Sequence, residues 1–217
     1  MTTKVIGGNV GNDYTGLLCT QITQNFPTFS FGDETAVPVD KAVAAQWNNG
    51  IFIITGLSNI TGPVTVSSAT LSLYVSVISS PQTHTLKTLL RTVVIGSLGS
   101  NDLTWTDAQS GLAWTTGGAL SDGNDRNATA AGSNSISATG YSNFTSAQLA
   151  TDVQNAINNS LQLAFVLERT DSSNDTNTAT IVGTANGTNG ILPYLTVTYT
   201  AGGGSATPYP TQLYVMP

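Results

Sequence analysis

The amino-acid sequence predicts an all-β fold, a β-sandwich that carries one short α-helix at about residues 146–158. Residues 68–78 (SATLSLYVSVI) alternate apolar and polar side chains, as a strand with one buried face does. Residues 50–57 (GIFIITGL) form a continuous apolar run of strand length, which indicates burial on both faces. The remaining runs are short and separated by turns, and only one stretch has convincing helical spacing, so the chain is predicted to be mostly strand.

The predicted helix begins after Thr145 or Ser146, because either hydroxyl can accept a hydrogen bond from a free amide of the first turn. One apolar stripe follows at helical spacing and consists of Leu149, Val153, Ala156 and Ile157. Asn158 and Asn159 then end the helix. Residues 161–167 (LQLAFVL) alternate again, so we expect the chain to enter a half-buried strand and the helix to pack on a sheet or cover one end of the sandwich.

The chain is predicted to have three parts. Residues 1–32 are rich in glycine and are expected to form an extended N-terminal arm, which adds strands to its own domain or to a neighbouring copy. Residues 33–201 form the sandwich. Residues 202–217 begin with a glycine hinge and continue as a C-terminal tail that is too rich in proline to fold alone, yet aromatic enough to dock. The candidate partner-binding residues are Tyr14 in the arm and Tyr209, Leu213, Tyr214 and Met216 in the tail.

Low charge marks the whole chain. Charged residues make up 8% of it, and the net charge is −6. Because Lys and Arg form no basic cluster, we expect no binding to nucleic acid. No apolar run approaches the about 20 residues that span a bilayer, so we expect no membrane contact either.

The residues that most often carry catalysis are scarce. His84 is the only histidine and Cys19 the only cysteine, which excludes an ordinary zinc site. No nucleophile is paired with a base, so the protein is expected not to be an enzyme. His84 lies in a predicted strand at residues 83–95 and is expected to face solvent or a sheet edge. Cys19 has apolar neighbours and is expected to be a small buried side chain.

A turn rich in side-chain oxygens is the candidate metal site. Asp122, Asn124 and Asp125 lie in the segment SDGND, and calcium prefers such oxygen clusters. The alternative is an ordinary turn in which these side chains cap their own backbone. Apart from calcium, no cofactor is expected.

Trp105 and Trp114 are the candidate ligand-binding residues. Both lie in a long stretch, residues 96–140, that has no clear periodicity. Loops of this length are usually functional or bound to something. Exposed tryptophan rings would stack on the sugar rings of a glycan, and the alternative is that both rings pack at a sheet edge.

The sequence resembles the DNRLRE-type β-sandwich domains, which are relatives of carbohydrate-binding modules. The matching segments are, in order, DETAV at 33–37, GIFIITGLSNITGPVTVSSATLSLYV at 50–75, LTWTDAQSGLAW at 103–114, NFTSAQLATDVQNAI at 143–157 and PYLTVTY at 193–199. The resemblance implies a jelly-roll sandwich and a binding or wall-associated module without catalysis of its own.

A sandwich with an arm, a hinge and a tail also looks like the virion accessory proteins of tailed phages, such as capsid decoration and tail proteins. This resemblance implies a structural protein in a virion whose arm and tail clasp copies of itself and other assembly proteins, such as a capsid protein. The alternative is a stand-alone, extracellular carbohydrate-binding module that recognises polysaccharide.

Overall fold

The computed structural model describes residues 1–8, 16–42, 46–100, 102–171, 177–186 and 190–202. The strands are β1 (Thr2–Gly7), β2 (Leu17–Thr23), β3 (Ala36–Ala42), β4 (Gln46–Ile54), β5 (Val64–Ile78), β6 (Gln82–Thr88), β7 (Asp107–Gln109), β8 (Leu112–Ala113), β9 (Gly132–Ile136), β10 (Gly140–Thr145), β11 (Leu163–Arg169), β12 (Thr178–Val182) and β13 (Tyr194–Ala201). The α-helix α1 spans Ala147–Asn159. Within these ranges, none of the helices has the length and apolar character needed to cross a bilayer.

Eleven of the described strands form one antiparallel sheet. Its order is β1-β13-β5-β12-β3-β4-β11-β6-β9, while β10 pairs with β5 and β2 pairs with β4. The strands β7 and β8 form a separate pair. The long strand β5 holds three partners, since β13 pairs with Val64–Ser72, β10 with Thr70–Val75 and β12 with Val75–Ile78. Register shifts in β12 and β13 mark irregularities of the kind at which a sheet bends.

The main hydrophobic core lies between the two halves of this curled sheet. One half contributes Leu71 and Leu73 from β5, and the other contributes Phe52 from β4 and Phe165 from β11, all of them fully buried. Alternate residues of each strand face this core: in β5 the residues between them are polar or half-buried, whereas in β4 and β11 they are apolar as well. The prediction of an all-β sandwich of jelly-roll-like form is therefore confirmed.

A second hydrophobic core covers the outer face of β2, β4 and β11. Ile51 and Ile53 of β4 belong to this second core, while Phe52 and Ile54 of the same strand belong to the main core. The residues that cover Ile51 and Ile53 come largely from the outer excursion, residues 89–126, which connects β6 to the segment before β9. The apolar run in β4 is therefore buried on both faces, as its composition indicated.

The helix begins and ends close to the predicted positions. Ser146 is the N-cap, and its Oγ accepts a hydrogen bond of 2.9 Å from the backbone N–H of Leu149. Ser160 ends the helix in the left-handed conformation with φ 53°. The side-chain amide of Asn158 accepts from the backbone N–H of Val64 at 2.9 Å and donates to its carbonyl at 3.1 Å. These two bonds fix the end of α1 to the first residue of β5.

The described part of residues 1–32 adds strands to the chain's own sheet, which is the first of the two alternatives for the predicted arm. Strand β1 pairs with β13, and β2 pairs with β4, so both belong to the sheet of the sandwich. Leu17, Cys19 and Ile22 are fully buried, because their apolar side chains lie on the two faces of a strand that is covered on both sides. The prediction that Cys19 is a small buried side chain is confirmed, and burial raises the pKa of its thiol to about 12.

The predicted strand at residues 83–95 is too long, and its orientation is corrected. Strand β6 ends at Thr88, after which the N–H of Leu89 donates to the carbonyl of Ala164 and the chain leaves the sheet. His84 does not face solvent: it is fully buried on the inward side of β6. The strand pairs with β11 and β9, so its alternate side chains point to opposite faces of the sheet. His84 lies on the same face as Leu86, which belongs to the main core.

Candidate functional site

Both candidate glycan-stacking residues are buried. Trp105 is 7% exposed and Trp114 is 6% exposed. The Nε1 of Trp114 donates a 3.0 Å hydrogen bond to the carbonyl of Thr104. Gly118, with φ +78°, lies so close to Trp105 that a Cβ at this position would be 2.5 Å from the ring atom Cη2. Of the two interpretations of these rings, packing is therefore the one that the structure shows, and exposure for stacking on a glycan is not.

The oxygen-rich turn holds ion pairs in place of a cation site. Asp122 accepts from Lys87 Nζ at 2.8 Å and from Arg126 Nε at 2.7 Å. The hydrogen bond from Lys87, together with Arg126, lowers the pKa of the Asp122 carboxyl. Asn124 donates to Ser121 Oγ at 3.0 Å, as a turn residue does. The side chains that calcium would need are therefore engaged with cations and with the turn itself.

Asp125, the third residue of the candidate calcium site, is fully buried, and its carboxylate binds other groups of the protein. It accepts from Arg91 Nε at 2.7 Å and from the backbone N–H groups of Thr115 and Thr116 at 2.9 and 3.0 Å. Burial alone would raise the pKa of Asp125, but these amides and Arg91 outweigh that effect and lower it. Across the described residues, no three His, Cys, Asp or Glu side chains are grouped so as to hold a metal ion.

Trp47 is half-buried, in contrast to the buried Trp105 and Trp114. It borders a small groove of about 150 Å³, here named the Trp47 groove, together with Asp40, Asn49 and Glu168. It also borders a second depression of about 410 Å³, which Gln24 and Trp105 line as well. The Trp47 side chain therefore lies at open surface next to carboxylate and amide groups.

Charged partners hold the residues around the Trp47 groove in place. Lys41 Nζ lies 5.1 Å from the centre of the Trp47 ring, a cation–π distance. Asp40 accepts two 3.0 Å hydrogen bonds from Asn48, and burial raises the pKa of its carboxyl. Arg126 Nη1 lies 2.9 Å from Glu168 Oε2. Trp47 was not among the predicted ligand-binding residues. The two asparagines that follow it, and Asp40 and Lys41 shortly before it, are the sequence signal that distinguishes it from the other tryptophans.

The clearest exposed apolar surface is the apolar tip, formed by Phe26, Phe29, Phe31 and Leu98. Phe26 is 60% exposed, Phe29 38% and Leu98 71%. The Phe29 and Phe31 rings meet edge to face at 5.0 Å, and Phe26 and Phe31 at 6.4 Å. Aromatic and aliphatic side chains of this size are normally buried, so such a patch marks an interaction surface.

Backbone hydrogen bonds fix the two loops that carry the apolar tip. The N–H of Phe29 donates to the carbonyl of Phe26 at 3.1 Å, and the N–H of Gly99 donates to the carbonyl of Ser30 at 2.8 Å. The N–H of Thr106 donates to the carbonyl of Pro27 at 3.0 Å, which ties the first loop to the outer excursion. The exposed rings are therefore held on an ordered backbone, and binding through them would cost little loop ordering.

The three phenylalanines of the apolar tip are visible in the sequence, but they were assigned to the predicted arm. Three phenylalanines occur within FPTFSF at residues 26–31. The contribution of Leu98 comes from a distant loop and is visible only in the fold. The predicted partner-binding residues Tyr14, Tyr209, Leu213, Tyr214 and Met216 lie outside the described residues.

No protein-family model and no curated protein matches the chain. The resemblance to DNRLRE-type domains therefore stays a prediction, and function is argued from the surfaces described above.

Proposed function

We propose that the protein is a non-enzymatic structural subunit of a large assembly, such as a virion capsid decoration or tail-associated protein, and that it contacts neighbouring copies through the apolar tip. The exposed Phe26, Phe29 and Leu98 on two fixed loops carry this proposal. The neighbours in a virion would be copies of the chain and other assembly proteins, such as a capsid protein.

The size of the apolar tip supports this role. Fully burying one Phe or Leu side chain contributes about 1.5–3 kcal/mol, and Phe26, Phe29 and Leu98, which are 38–71% exposed, can each contribute part of this on association. Two of the three are aromatic, the residue class enriched at interfaces. The net charge of −6 opposes association of copies, so it should strengthen as added salt screens this repulsion.

Replacing the tip side chains tests the proposal. Sedimentation velocity should show wild-type protein that associates as its concentration rises, and a Phe26→Ser, Leu98→Ser variant that stays monomeric. Both side chains are exposed, so the variant should keep its fold.

A matched control changes exposed apolar residues outside the apolar tip. Val77 is 54% exposed and Leu90 is 50% exposed, and a Val77→Ser, Leu90→Ser variant should associate like the wild type. A wild-type protein that is monomeric throughout, or a tip variant that associates normally, would contradict the proposal.

A second candidate function is binding of polysaccharide at the Trp47 groove. An accessible indole next to Asp40, Asn49 and Glu168 combines a stacking surface with hydrogen-bonding groups, as sugar recognition requires. Titration with a panel of polysaccharides should change the tryptophan fluorescence of the wild type and leave a Trp47→Ala variant unchanged. The absence of any change in the wild type across the panel would argue against this function, which would place the protein outside the cell.

A further inference from the structure

A groove of about 560 Å³ lies beside the C-terminal end of α1. This α1 groove has a mixed lining: Ile157 and Leu161 supply apolar side chains at the end of α1, and Thr55, Ser58, Ser160 and Gln162 supply a comparable share of polar surface. Its volume lies within the about 300–1,000 Å³ of typical ligand sites. Leu161 is 59% exposed, so the groove offers uncovered apolar surface.

Two side-chain amides hold the α1 groove in shape. Asn158 bonds to both the N–H and the carbonyl of Val64, as described above. Gln162, which lines the groove, does the same at Val93, where it accepts from the N–H at 2.8 Å and donates to the carbonyl at 2.9 Å. The groove is therefore formed in the protein before anything binds, and its occupant would not have to order it.

The C-terminal end of β13 lies close to the α1 groove. The N–H of Gly202, just after β13, donates to the carbonyl of Pro63 at 2.7 Å. The two residues before Pro63, Thr61 and Gly62, line the α1 groove. Residues 203–217, which lie outside the described residues, are thus attached within a few residues of the rim.

The composition of that segment, uncharged with both polar and large apolar side chains, fits a groove of mixed lining. Residues 207–217 read TPYPTQLYVMP. Pro208 and Pro210 favour an extended backbone, which lowers the entropy lost when the segment is fixed. Leu213, Tyr214 and Met216 supply large side chains for the pocket, and the segment carries no charged residue that burial would desolvate.

We propose that residues 207–217 of the same chain bind in the α1 groove. The distance is short enough for this, because a glycine-rich link of the length from residue 202 to residue 213 spans about 18 Å (root mean square), and the prolines at 208 and 210 would lengthen it. Such a link gives an effective concentration on the order of 1 mM. A segment that binds as a free peptide with a Kd of about 0.1 mM would then be bound in roughly nine chains of ten, whereas the segment of a second copy lacks this advantage at micromolar concentrations.

A spin label at the end of the tail tests the proposal in the full chain. The label is attached to a Pro217→Cys variant, and Cys19 does not compete because it is buried and its thiol pKa is raised to about 12. In the ¹⁵N-labelled protein, the amide signals of Leu57, Ile157 and Leu161 should lose intensity and recover when the label is reduced. Unchanged intensities at these amides would overturn the proposal.

Mixing separates the tail of the same chain from that of a second copy. Spin-labelled protein without ¹⁵N is mixed with unlabelled ¹⁵N protein, and the groove signals should keep their intensity. A loss of intensity in this mixture would overturn the proposal, because the tail would then occupy the groove of another copy.

Two variants check that the groove and the tail are responsible. Leu161→Glu should abolish the intensity loss, while Val77→Glu, at a residue of similar exposure, should not. A Leu213→Ser, Tyr214→Ser variant should also abolish it and leaves the described part of the chain unchanged. Retained intensity loss in either groove or tail variant would contradict specific docking. The inference does not rest on the proposed assembly role, because a protein that never associates can still hold its own tail.

Discussion

At the scale of single residues, His84 and Asp125 respond to complete burial in opposite ways. Asp125 keeps its charge because two backbone amides and Arg91 donate to its carboxylate. Neither ring nitrogen of His84 makes a hydrogen bond of normal geometry in the part of the chain that the structure describes. Burial therefore lowers the pKa of His84 to about 4, and the nearby backbone of Val39 and Gln82 and the charge of Asp171 offset only part of this effect.

We predict that His84 makes the protein less stable as the pH falls from about 6.5 to about 4. The imidazole has a pKa of 6.5 in the unfolded chain and about 4 in the folded one, so the unfolded chain binds more protons in this range. The difference of pKa corresponds to about 3 kcal/mol of unfolding free energy, lost by pH 4. Urea denaturation across this pH range measures it.

The control for this prediction is His84→Leu, which fills a similar volume without a titratable group. Its unfolding free energy should fall less steeply between pH 6.5 and pH 4. Asp122 and Asp125 have lowered pKa values, so their contribution is lost at lower pH in both proteins and cancels in the comparison. Parallel pH profiles for the two proteins would show that His84 is not the group responsible.

At the scale of elements, the outer excursion is a layer without long strands that depends on a few anchors. It covers the outer face of β4 and β11 with Leu103, Trp105 and Trp114, while its own described strands are only the short β7 and β8. Asp125 ties the last part of the excursion to Arg91 near its start and to the backbone after Trp114. This carboxylate therefore adds side-chain anchors to the scattered backbone hydrogen bonds of the excursion, such as those from Val94 to Ala108 and from Trp114 to Thr106.

We predict that Asp125→Asn lowers the unfolding free energy by about 2 kcal/mol. The substitution removes charge-assisted hydrogen bonds, which contribute about 1.5–3 kcal/mol each, and leaves Arg91 without its partner carboxylate. Urea denaturation followed by tryptophan fluorescence measures the change, since Trp114 directly precedes the amides that Asp125 binds.

Asp122→Asn is the matched control for this substitution. Its side chain is 45% exposed, so its ion pairs with Lys87 and Arg126 should contribute no more than about 1 kcal/mol. Equal losses for the two variants would show that Asp125 is not a special anchor of the excursion.

The helix could be predicted from the sequence because its signals are local. The Ser146 cap and the spacing of Leu149, Val153 and Ala156 lie within one short segment, and the structure has the helix within one residue of the prediction. The end of β6 at Thr88 could not be predicted in this way. Leu89 and Val93, which follow it, belong to the second core, and a side chain that packs on the outer face of a sheet is of the same type as one that continues a strand.

At the scale of the whole molecule, the two cores share their strands. Alternate residues of β4 and β11 face the main core and the second core. The outer excursion therefore has an apolar surface to pack against only while the sheet is folded. The sequence indicated the sheet through its alternation and the two-sided burial of β4. It could not show which distant segment covers the outer face, so exposed and packed rings both remained open for Trp105 and Trp114. Trp47 and the apolar tip were not recognised for the same reason.

The pairing of β1 with β13 also determines how the molecule responds to mechanical tension. The two strands are antiparallel, with Thr2 opposite Tyr199 and Gly7 opposite Tyr194. A pulling force applied at Met1 and Gly202 would therefore act at the same end of the pair and open its hydrogen bonds one after another, starting at Thr2. Attachment through both of these positions would yield under low force, whereas attachment through the apolar tip would leave the β1–β13 pair free of tension.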